Sequence, residues 1–256
     1  MKILVCMKQV PLYSSNFTIS ETKDSVKEEG LTYEANEADL YAVEEALYQR
    51  GIHEGDITVV TVGPNTSKQV LYTAYAKGVD WAVHIVDEEY KGKNDAFALS
   101  AIGNYIKTHN QYDLILTGVR ADDDLLGQFG VSLSDYLSMP VVTSISGLSI
   151  KNGSTRTATV LREIGDGYKQ EIEVDLPCVL TIQFGIRPLQ YTSVMASIKA
   201  RSKKIEIVIP EKSGESRNKL RTVELYPPQE SSECEFITGS PVEVCQKLFD
   251  KVLKVS

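Results

Sequence analysis

Short apolar runs alternate along the first 150 residues with segments whose apolar residues recur every three or four positions. The runs predict buried parallel strands at residues 2–7, 57–62, 81–86, 114–116 and 141–145. The periodic segments predict helices at residues 37–49, 67–77, 94–107 and 125–137. This order predicts an α/β fold, a doubly wound and mostly parallel sheet with helices on both faces.

The first predicted helix has a polar start and a glycine near its end. Asn36 is expected to cap it, with Asp39 three residues on, and Gly51 to end it. Its buried stripe is predicted at Leu40, Val43 and Leu47. Glu44 and Glu45 lie in the middle of the helix, and a solvated face is their default interpretation.

The pattern changes after residue 150. Asn152-Gly153 is typical of a tight hairpin, and residues 155–163 and 168–174 alternate polar and apolar positions. We therefore expect an antiparallel hairpin added to one edge of the sheet. A buried strand at 178–182 and a last strand at 205–209 follow. Residues 211–228 resemble a linker, and Ser240-Pro241-Val242-Glu243 predicts the capping box of a C-terminal tail helix.

Composition and charge limit the classes of function that this protein can have. The net charge of −8 argues against nucleic acid as a partner, because phosphate contacts need a basic face. No apolar run approaches the roughly 20 residues of a membrane span, so no membrane insertion is expected. The N-terminus lacks a signal-peptide pattern, which predicts a cytoplasmic protein. The four cysteines and three histidines show no metal or hydrolase spacing. We expect no metal and no catalytic residue, so that any redox chemistry must come from a cofactor.

A ligand crevice is predicted at the carboxyl ends of the strands. Four loops meet there, at residues 8–11, 36, 62–65 and 118–128. Gly118 is expected to let a ligand approach the backbone. Asp122, Asp123 and Asp124 are expected to cap the following helix. The alternative to a ligand site is that this segment is only a helix cap beside a solvated turn.

Six segments in order resemble the β subunit of electron transfer flavoprotein, a family that includes nitrogen-fixation-type homologues. They are KILVCMKQVP, NEADLYAVEEAL, VVTVGP, TGVRADDDLLGQFG, LREIGDGYKQEIEVDLPCVLTI and IRPLQYTSVMASIKARSKKIEI, and together they span about 200 residues. The resemblance implies an adenine nucleotide alpha hydrolase-like α/β domain over residues 1–210. It also implies a C-terminal arm and helix, residues 211–256, that dock on an α subunit.

The resemblance also implies a function. The heterodimer would carry electrons through FAD, shared with the α subunit, between a dehydrogenase of the acyl-CoA dehydrogenase type and another redox partner. The β crevice would hold AMP, or a second FAD if the complex bifurcates electrons from NADH; only then would the chain take part in NADH oxidation. The implied cofactor-binding residues are Cys6, Lys8, Asn36, Asp39, Val62, Gly63, Gly118, Arg120, Asp123, Asp124, Gln128 and Gly130.

The chain departs from the family pattern in the nucleotide loop. Leu125 and Leu126 stand where an acidic residue and a threonine or small polar residue are usual, and Val119-Arg120 replaces the usual basic-glutamine pair. Two rival functions therefore stay open. One is an adenine-nucleotide-binding regulator of the stress-protein type, and the other is a structural subunit with an empty crevice.

The resemblance places a partner-docking loop at residues 183–204, with Val194 where the family has an anchoring leucine. The predicted docking residues are Tyr191, Val194, Met195 and Lys199. Phe184, Ile186 and Leu189 also look exposed, and Arg201, Lys203 and Lys204 form a basic cluster that would attract an acidic partner. The alternative is a loop folded back on its own core.

Overall fold

A computed structural model describes residues 1–87, 95–109, 111–151, 156–210, 222–227 and 236–253. The chain divides into two compact units. One comprises Met1–Phe17 and Glu28–Arg221, and the other comprises Thr18–Lys27 and Thr222–Ser256. None of the helices in the described ranges combines the length and apolar character that crossing a membrane requires.

The described part of the larger unit contains two sheets, five α-helices and a short 3-10 helix, Asn65–Ser67. The strands are β1 (Lys2–Cys6), β2 (Gln9–Pro11), β3 (Tyr33–Ala35), β4 (Asp56–Gly63), β5 (Trp81–Val86), β6 (Leu114–Gly118), β7 (Val141–Lys151), β8 (Thr157–Gly165), β9 (Tyr168–Asp175), β10 (Cys178–Ile182) and β11 (Glu206–Val208). The helices are α1 (Glu37–His53), α2 (Lys68–Lys77), α3 (Asp95–His109), α4 (Phe129–Leu137) and α5 (Val194–Ala200).

Nine strands form the main sheet, in the order β11-β5-β4-β1-β6-β10-β7-β8-β9. Neighbours from β11 to β7 pair in parallel, and β8 and β9 add an antiparallel hairpin at one edge. The central strands are buried along nearly their whole length, as their apolar runs predict. The predicted α/β class and the edge hairpin are confirmed. The Asn152-Gly153 turn lies outside the described residues.

Helices cover both faces of the sheet. Residues of α1, α2 and α5 pack with one face around Val5, Leu116 and Leu180. Residues of α3 and α4 pack with the other face around Leu4 and Ile115. Adjacent residues of one strand thus belong to opposite cores, because successive side chains of a strand point to opposite faces.

Four local predictions about this unit were wrong. Helix α1 passes through Gly51, whose missing side chain would face open space, and ends at His53, before Glu54 with its φ of +53°. Helix α4 begins at Phe129 rather than Leu125, because Leu125 has φ of +56°, which no right-handed helix accommodates. Residues 9–11 are not a plain loop but pair with β3 as a two-stranded ribbon. Helix α5 was not predicted.

The stripe of α1 also differs from its prediction. Val43 is buried, but Leu40 and Leu47 are only partly buried at the core's margin. The alanines of this helix, Ala38, Ala42 and Ala46, are instead fully buried.

The smaller unit contains a hairpin-like turn and helix α6 (Pro241–Leu253). Ile19 and Val26 form an isolated antiparallel bridge, and Lys23 pairs with Glu224 at 2.9 Å. The Ser240 N–H donates to Glu243 Oε2 at 2.8 Å, which is the glutamate half of the predicted capping box. The predicted tail helix is confirmed.

Candidate functional site

A crevice opens at the carboxyl ends of β1 and β6, the two neighbouring strands at the centre of the sheet. At this point the chain leaves β1 towards one face and β6 towards the other, which is where open α/β sheets bind ligands. Nine of the twelve predicted cofactor-binding residues line it: Cys6, Lys8, Asn36, Asp39, Val62, Gly118, Arg120, Asp124 and Gln128.

The other three predicted residues lie around the crevice and do not line it. The Gly63 carbonyl accepts the N–H of Asp87 at 3.1 Å at the end of β4. Asp123 is an ion-pair partner of Lys8. Gly130 lets α4 approach the sheet, since a Cβ there would lie 2.5 Å from Thr181 Cγ2 and 2.7 Å from Thr117 Oγ1. Each of the three residues thus has a structural contact within the protein.

Asp39 joins the ends of the two central strands. Its Oδ2 accepts the N–H of Lys8 at 2.8 Å and its Oδ1 accepts the N–H of Gly118 at 2.9 Å. Burial raises the pKa of this carboxyl to about 7, against the opposing effect of those two N–H groups. Asp39 therefore links β1 to β6, a structural role that was not predicted beside its expected places in the helix cap and among the cofactor-binding residues.

Asn36 also has a different role from the one predicted. It makes no side-chain cap bond to α1. Its Nδ2 donates to the carbonyl of Arg120 at 2.9 Å, and its Oδ1 accepts the N–H of Asp122 at 3.0 Å. Asn36 thus fastens the loop that follows β6 to the start of α1.

The reason for a glycine at position 118 differs from the prediction. A Cβ there would lie 2.5 Å from Asp39 Oδ1 and 2.7 Å from Ala38 Cβ. It would strike α1 before it could obstruct a ligand. Gly118 is required for the contact of β6 with α1.

Two carboxylates of the loop hold Lys8. Its Nζ lies 2.8 Å from Asp123 Oδ1 and 2.9 Å from Asp124 Oδ2. Burial lowers the pKa of Lys8, but the two aspartates outweigh burial and the pKa is raised. These aspartates precede a loop and do not cap α4 as predicted, because left-handed residues at Leu125 and Gly127 separate them from the helix.

The floor of the crevice is apolar. Ala98 and Ile102 of α3 line it with Val62, Leu126 and Phe129. Neither α3 residue was among the predicted binding residues. No local motif marks them, because α3 reaches the crevice only through the crossover of the chain.

The N-terminus of α4 forms one wall. Gln128 and Phe129 line the crevice, Gln128 makes no side-chain cap bond, and the first turn contains no acidic residue. The first N–H groups of a helix have no partner within it and carry partial positive charge. This wall therefore suits an anion.

The predicted docking residues project from a second surface. Tyr191, Val194 and Met195 are exposed, with Val194 at 76%, and Lys199 is also exposed. Val194 and Met195 belong to α5, capped by Ser193 Oγ, which accepts the N–H of Ala196 at 3.1 Å. Phe184, Ile186 and Leu189 are partly buried, so the prediction that they are exposed was wrong.

The basic cluster beside α5 is only partly available. Lys203 folds back, where its Nζ donates to the Val79 carbonyl at 3.0 Å and lies 4.6 Å from the Tyr75 ring centroid. Arg201, Lys203 and Lys204 are all exposed, so these contacts engage the Lys203 ammonium without burying the residue. Within the described ranges, no group of three or more acidic, cysteine or histidine side chains is placed to hold a metal ion.

Comparison with known proteins identifies the family to which this chain belongs. A model of the electron transfer flavoprotein domain matches residues 25–213, most of the chain. The chain belongs to the electron transfer flavoprotein family. It is similar to the electron transfer flavoprotein subunit beta of Methylophilus methylotrophus, at 34% identity over 81% of this chain and 79% of that protein.

Two further relatives cover nearly the whole chain. The electron transfer flavoprotein subunit beta of Bacillus subtilis is 31% identical over 97% of this chain and 96% of its own length. The caffeyl-CoA reductase-Etf complex subunit CarD of Acetobacterium woodii is 32% identical over 98% of both chains. The predicted resemblance to β subunits of this flavoprotein family is confirmed.

Proposed function

We propose that this chain is the β subunit of a heterodimeric electron transfer flavoprotein. It binds an adenine nucleotide in the β1–β6 crevice and forms one side of a FAD site completed by the α subunit. The observation that carries the proposal is the crevice at the centre of the flavoprotein fold, with an apolar floor and a helix N-terminus as one wall.

The crevice fits the two parts of an adenine nucleotide. The apolar floor of Val62, Ala98 and Ile102 suits a base, because ligand pockets are mostly apolar with few polar groups. The N–H groups at the start of α4 suit a phosphate, and Gln128 lies beside them. Lys8, Asp123 and Asp124 hold the loop that closes the site.

FAD supplies the redox chemistry of such a complex when it is bound. The β subunit's residues position it and present a surface to the dehydrogenase. One apolar side chain filling a partner pocket contributes roughly 1.5–3 kcal/mol, and exposed Val194 and Met195 are placed for this role. A dehydrogenase of the acyl-CoA dehydrogenase type is the proposed electron donor.

Counting nucleotides in the purified heterodimer tests the crevice. Co-expression with the α subunit, followed by denaturation and chromatography, should release one FAD and one AMP, or two FAD, per heterodimer. Two FAD with NADH oxidation would assign the complex to the bifurcating type. One FAD and one AMP would assign a simple electron carrier.

A matched pair of variants locates the nucleotide. Leu126→Asp places a carboxylate at the crevice and should lower its nucleotide content about tenfold. Ile164→Asp makes the same change at an exposed position outside the crevice and should leave the content unchanged. Equal nucleotide content in both variants would exclude the β1–β6 crevice as the site.

The docking surface has its own test. Val194→Ala should slow electron transfer from the dehydrogenase about tenfold, which corresponds to about 1.4 kcal/mol, with normal flavin content. Ile164→Ala serves as the control. Unchanged transfer would remove the docking assignment, and lost flavin would show that Val194 supports the fold.

We also propose that residues 211–256 form an arm that docks on the α subunit. Val242, Leu248 and Phe249 expose an apolar face on α6, and exposed apolar faces of this kind mark interaction sites. Phe249→Asp should weaken copurification with the α subunit, whereas Lys247→Asp, on the same helix, should weaken it less.

A further inference from the structure

Two adjacent glutamates in the middle of α1 are buried, although their sequence context predicted a solvated face. Glu45 has no exposed surface and Glu44 has 6% exposed. Each faces a cation from another element. Glu44 Oε1 lies 2.6 Å from Lys77 Nζ, and Glu45 Oε2 lies 2.8 Å from Arg187 Nε. Buried charges are expensive unless they are paired, so their position calls for a physical reason.

The Glu44 pair also binds the backbone of one residue outside the helices. Glu44 Oε1 accepts the N–H of Gln190 at 2.9 Å, and Lys77 Nζ donates to the Gln190 carbonyl at 2.8 Å. The carboxylate and the ammonium thus satisfy both polar groups of a single peptide residue. Gln190 directly precedes Tyr191 and lies four residues before α5.

The Glu45 pair holds the same segment three residues earlier. Arg187 donates to Glu45 and its guanidinium lies 3.5 Å from the ring centroid of Tyr48, one turn of α1 away from Glu44. Gln49 Nε2 donates to Glu45 Oε1 at 2.6 Å. Both buried glutamates therefore fasten residues 187–190 to α1.

The residues that follow the C-terminal end of α5 are also held by hydrogen bonds to other segments. The Tyr75 hydroxyl donates to the Lys204 carbonyl at 2.6 Å, and Lys203 donates to the Val79 carbonyl. Ala200, at the last turn of α5, is only 2% exposed. The short helix is thus held at both ends, while Val194 and Met195 stay exposed between them.

We propose that Glu44 and Lys77 are positioning residues that preform the docking surface of Tyr191, Val194 and Met195 before a dehydrogenase binds. The segment before α5 has no regular structure, so side chains rather than a helix or sheet bind the peptide groups of Gln190. A surface ordered in advance loses less conformational freedom on binding. The inference rests on the proposed docking function and adds the residues that hold it in place.

The test uses the heterodimer with its α subunit. Glu44→Leu/Lys77→Met removes both charges with similar volume, which avoids leaving one charge unpaired. Arg50→Met/Asp80→Asn is the control. That pair joins α1 to the residue before β5 at 2.8 Å, and its further partners, the Gly78 carbonyl and the Ile57 N–H, lie outside residues 183–200. Lys77→Arg keeps the charge and should behave as the unmodified chain.

Two measurements are made on each variant. Amide hydrogen exchange at residues 190–194 should accelerate at least tenfold in Glu44→Leu/Lys77→Met and stay unchanged in the control. The KM for the heterodimer, as electron acceptor of an acyl-CoA dehydrogenase from the same organism oxidising butyryl-CoA, should rise at least fivefold. The kcat and FAD content should stay constant, which a general loss of structure would not permit.

The possible outcomes distinguish a failure of the positioning role from a failure of the proposed docking function. Unchanged exchange in Glu44→Leu/Lys77→Met overturns the positioning role. Faster exchange with an unchanged KM also overturns it, provided that Val194→Ala raises the KM. If Val194→Ala leaves the KM unchanged, the docking function itself fails, and the exchange data still decide whether Glu44 and Lys77 hold the segment. Should the double variant not fold, Glu44→Gln/Lys77→Gln is measured in the same way.

Discussion

The carboxylate of Asp39 and the backbone of Gly118 are in direct contact, with Asp39 Oδ1 accepting the Gly118 N–H at 2.9 Å. The other oxygen of Asp39 binds the Lys8 N–H. One buried side chain from α1 therefore fixes the separation of the carboxyl ends of β1 and β6. The geometry of the crevice depends on this contact.

Gly118→Ala should destabilise the protein. The new Cβ would lie 2.5 Å from Asp39 Oδ1, and overpacking of this kind typically costs about 1–3 kcal/mol. Gly51→Ala is the control, and its effect on stability should have the opposite sign. It lies within α1 and faces open space, where alanine should stabilise by about 0.5–1 kcal/mol. Urea unfolding of both variants measures the difference, and equal effects would contradict the close approach.

Asp39 should make stability fall as the pH rises from about 4 to 7. Its folded pKa of about 7 lies above the ordinary 3.8, so the folded state binds the proton more tightly. The contribution of Asp39 to the free energy of unfolding is fully present below pH 3.8 and is lost as the pH rises through 7. At about 1.4 kcal/mol per pH unit, it amounts to about 4 kcal/mol.

Comparison with Asp39→Asn isolates this group from other carboxylates. The free energy of unfolding of the unmodified chain, minus that of the variant, should decrease between pH 4 and 7 and then level off. A difference that stays constant or grows with pH would show that burial does not raise this pKa.

Glu45→Gln should destabilise far more than the same change at an exposed ion pair. Glu45 is fully buried, and its loss leaves Arg187 without its carboxylate partner. We expect a loss of about 3 kcal/mol in the free energy of unfolding, which is the low end for a buried ion pair because the Arg187 side chain is 31% exposed. Glu173→Gln breaks an exposed pair with Lys151 and should cost less than about 1 kcal/mol. Similar losses at the two positions in chemical unfolding would support the solvated face that the sequence suggested.

The cysteines should differ sharply in reactivity. Cys6 and Cys178 are buried, and burial raises the pKa of both thiols, whereas Cys245 is exposed. In a Cys234→Ser background, iodoacetamide should label Cys245 within minutes and the other two only after unfolding. Mass spectrometry of the labelled peptides gives the rates. Rapid labelling of Cys6 in the folded chain would contradict its place in the core.

The sequence by itself determined the layered fold and the position of the crevice. Buried parallel strands read as continuous apolar runs, as in Ile57–Val62, because both faces of the sheet are covered. The order of strands and helices then fixes the handed crossovers and hence the edge where ligands bind. Polar residues at the strand ends, such as Lys8 and Asn36, could therefore be placed at the crevice.

Only the tertiary structure decided what those side chains do. Asp39 and Asn36 carry the signature of a helix cap, yet their partners Gly118 and Arg120 lie about 80 residues away in sequence. Glu44 and Glu45 look solvated because charged residues usually are. Their burial depends on Lys77 and Arg187, which no local period brings to α1. Pairings between distant segments are set by packing, and the physical reason for a buried charge is visible only with its partner in place.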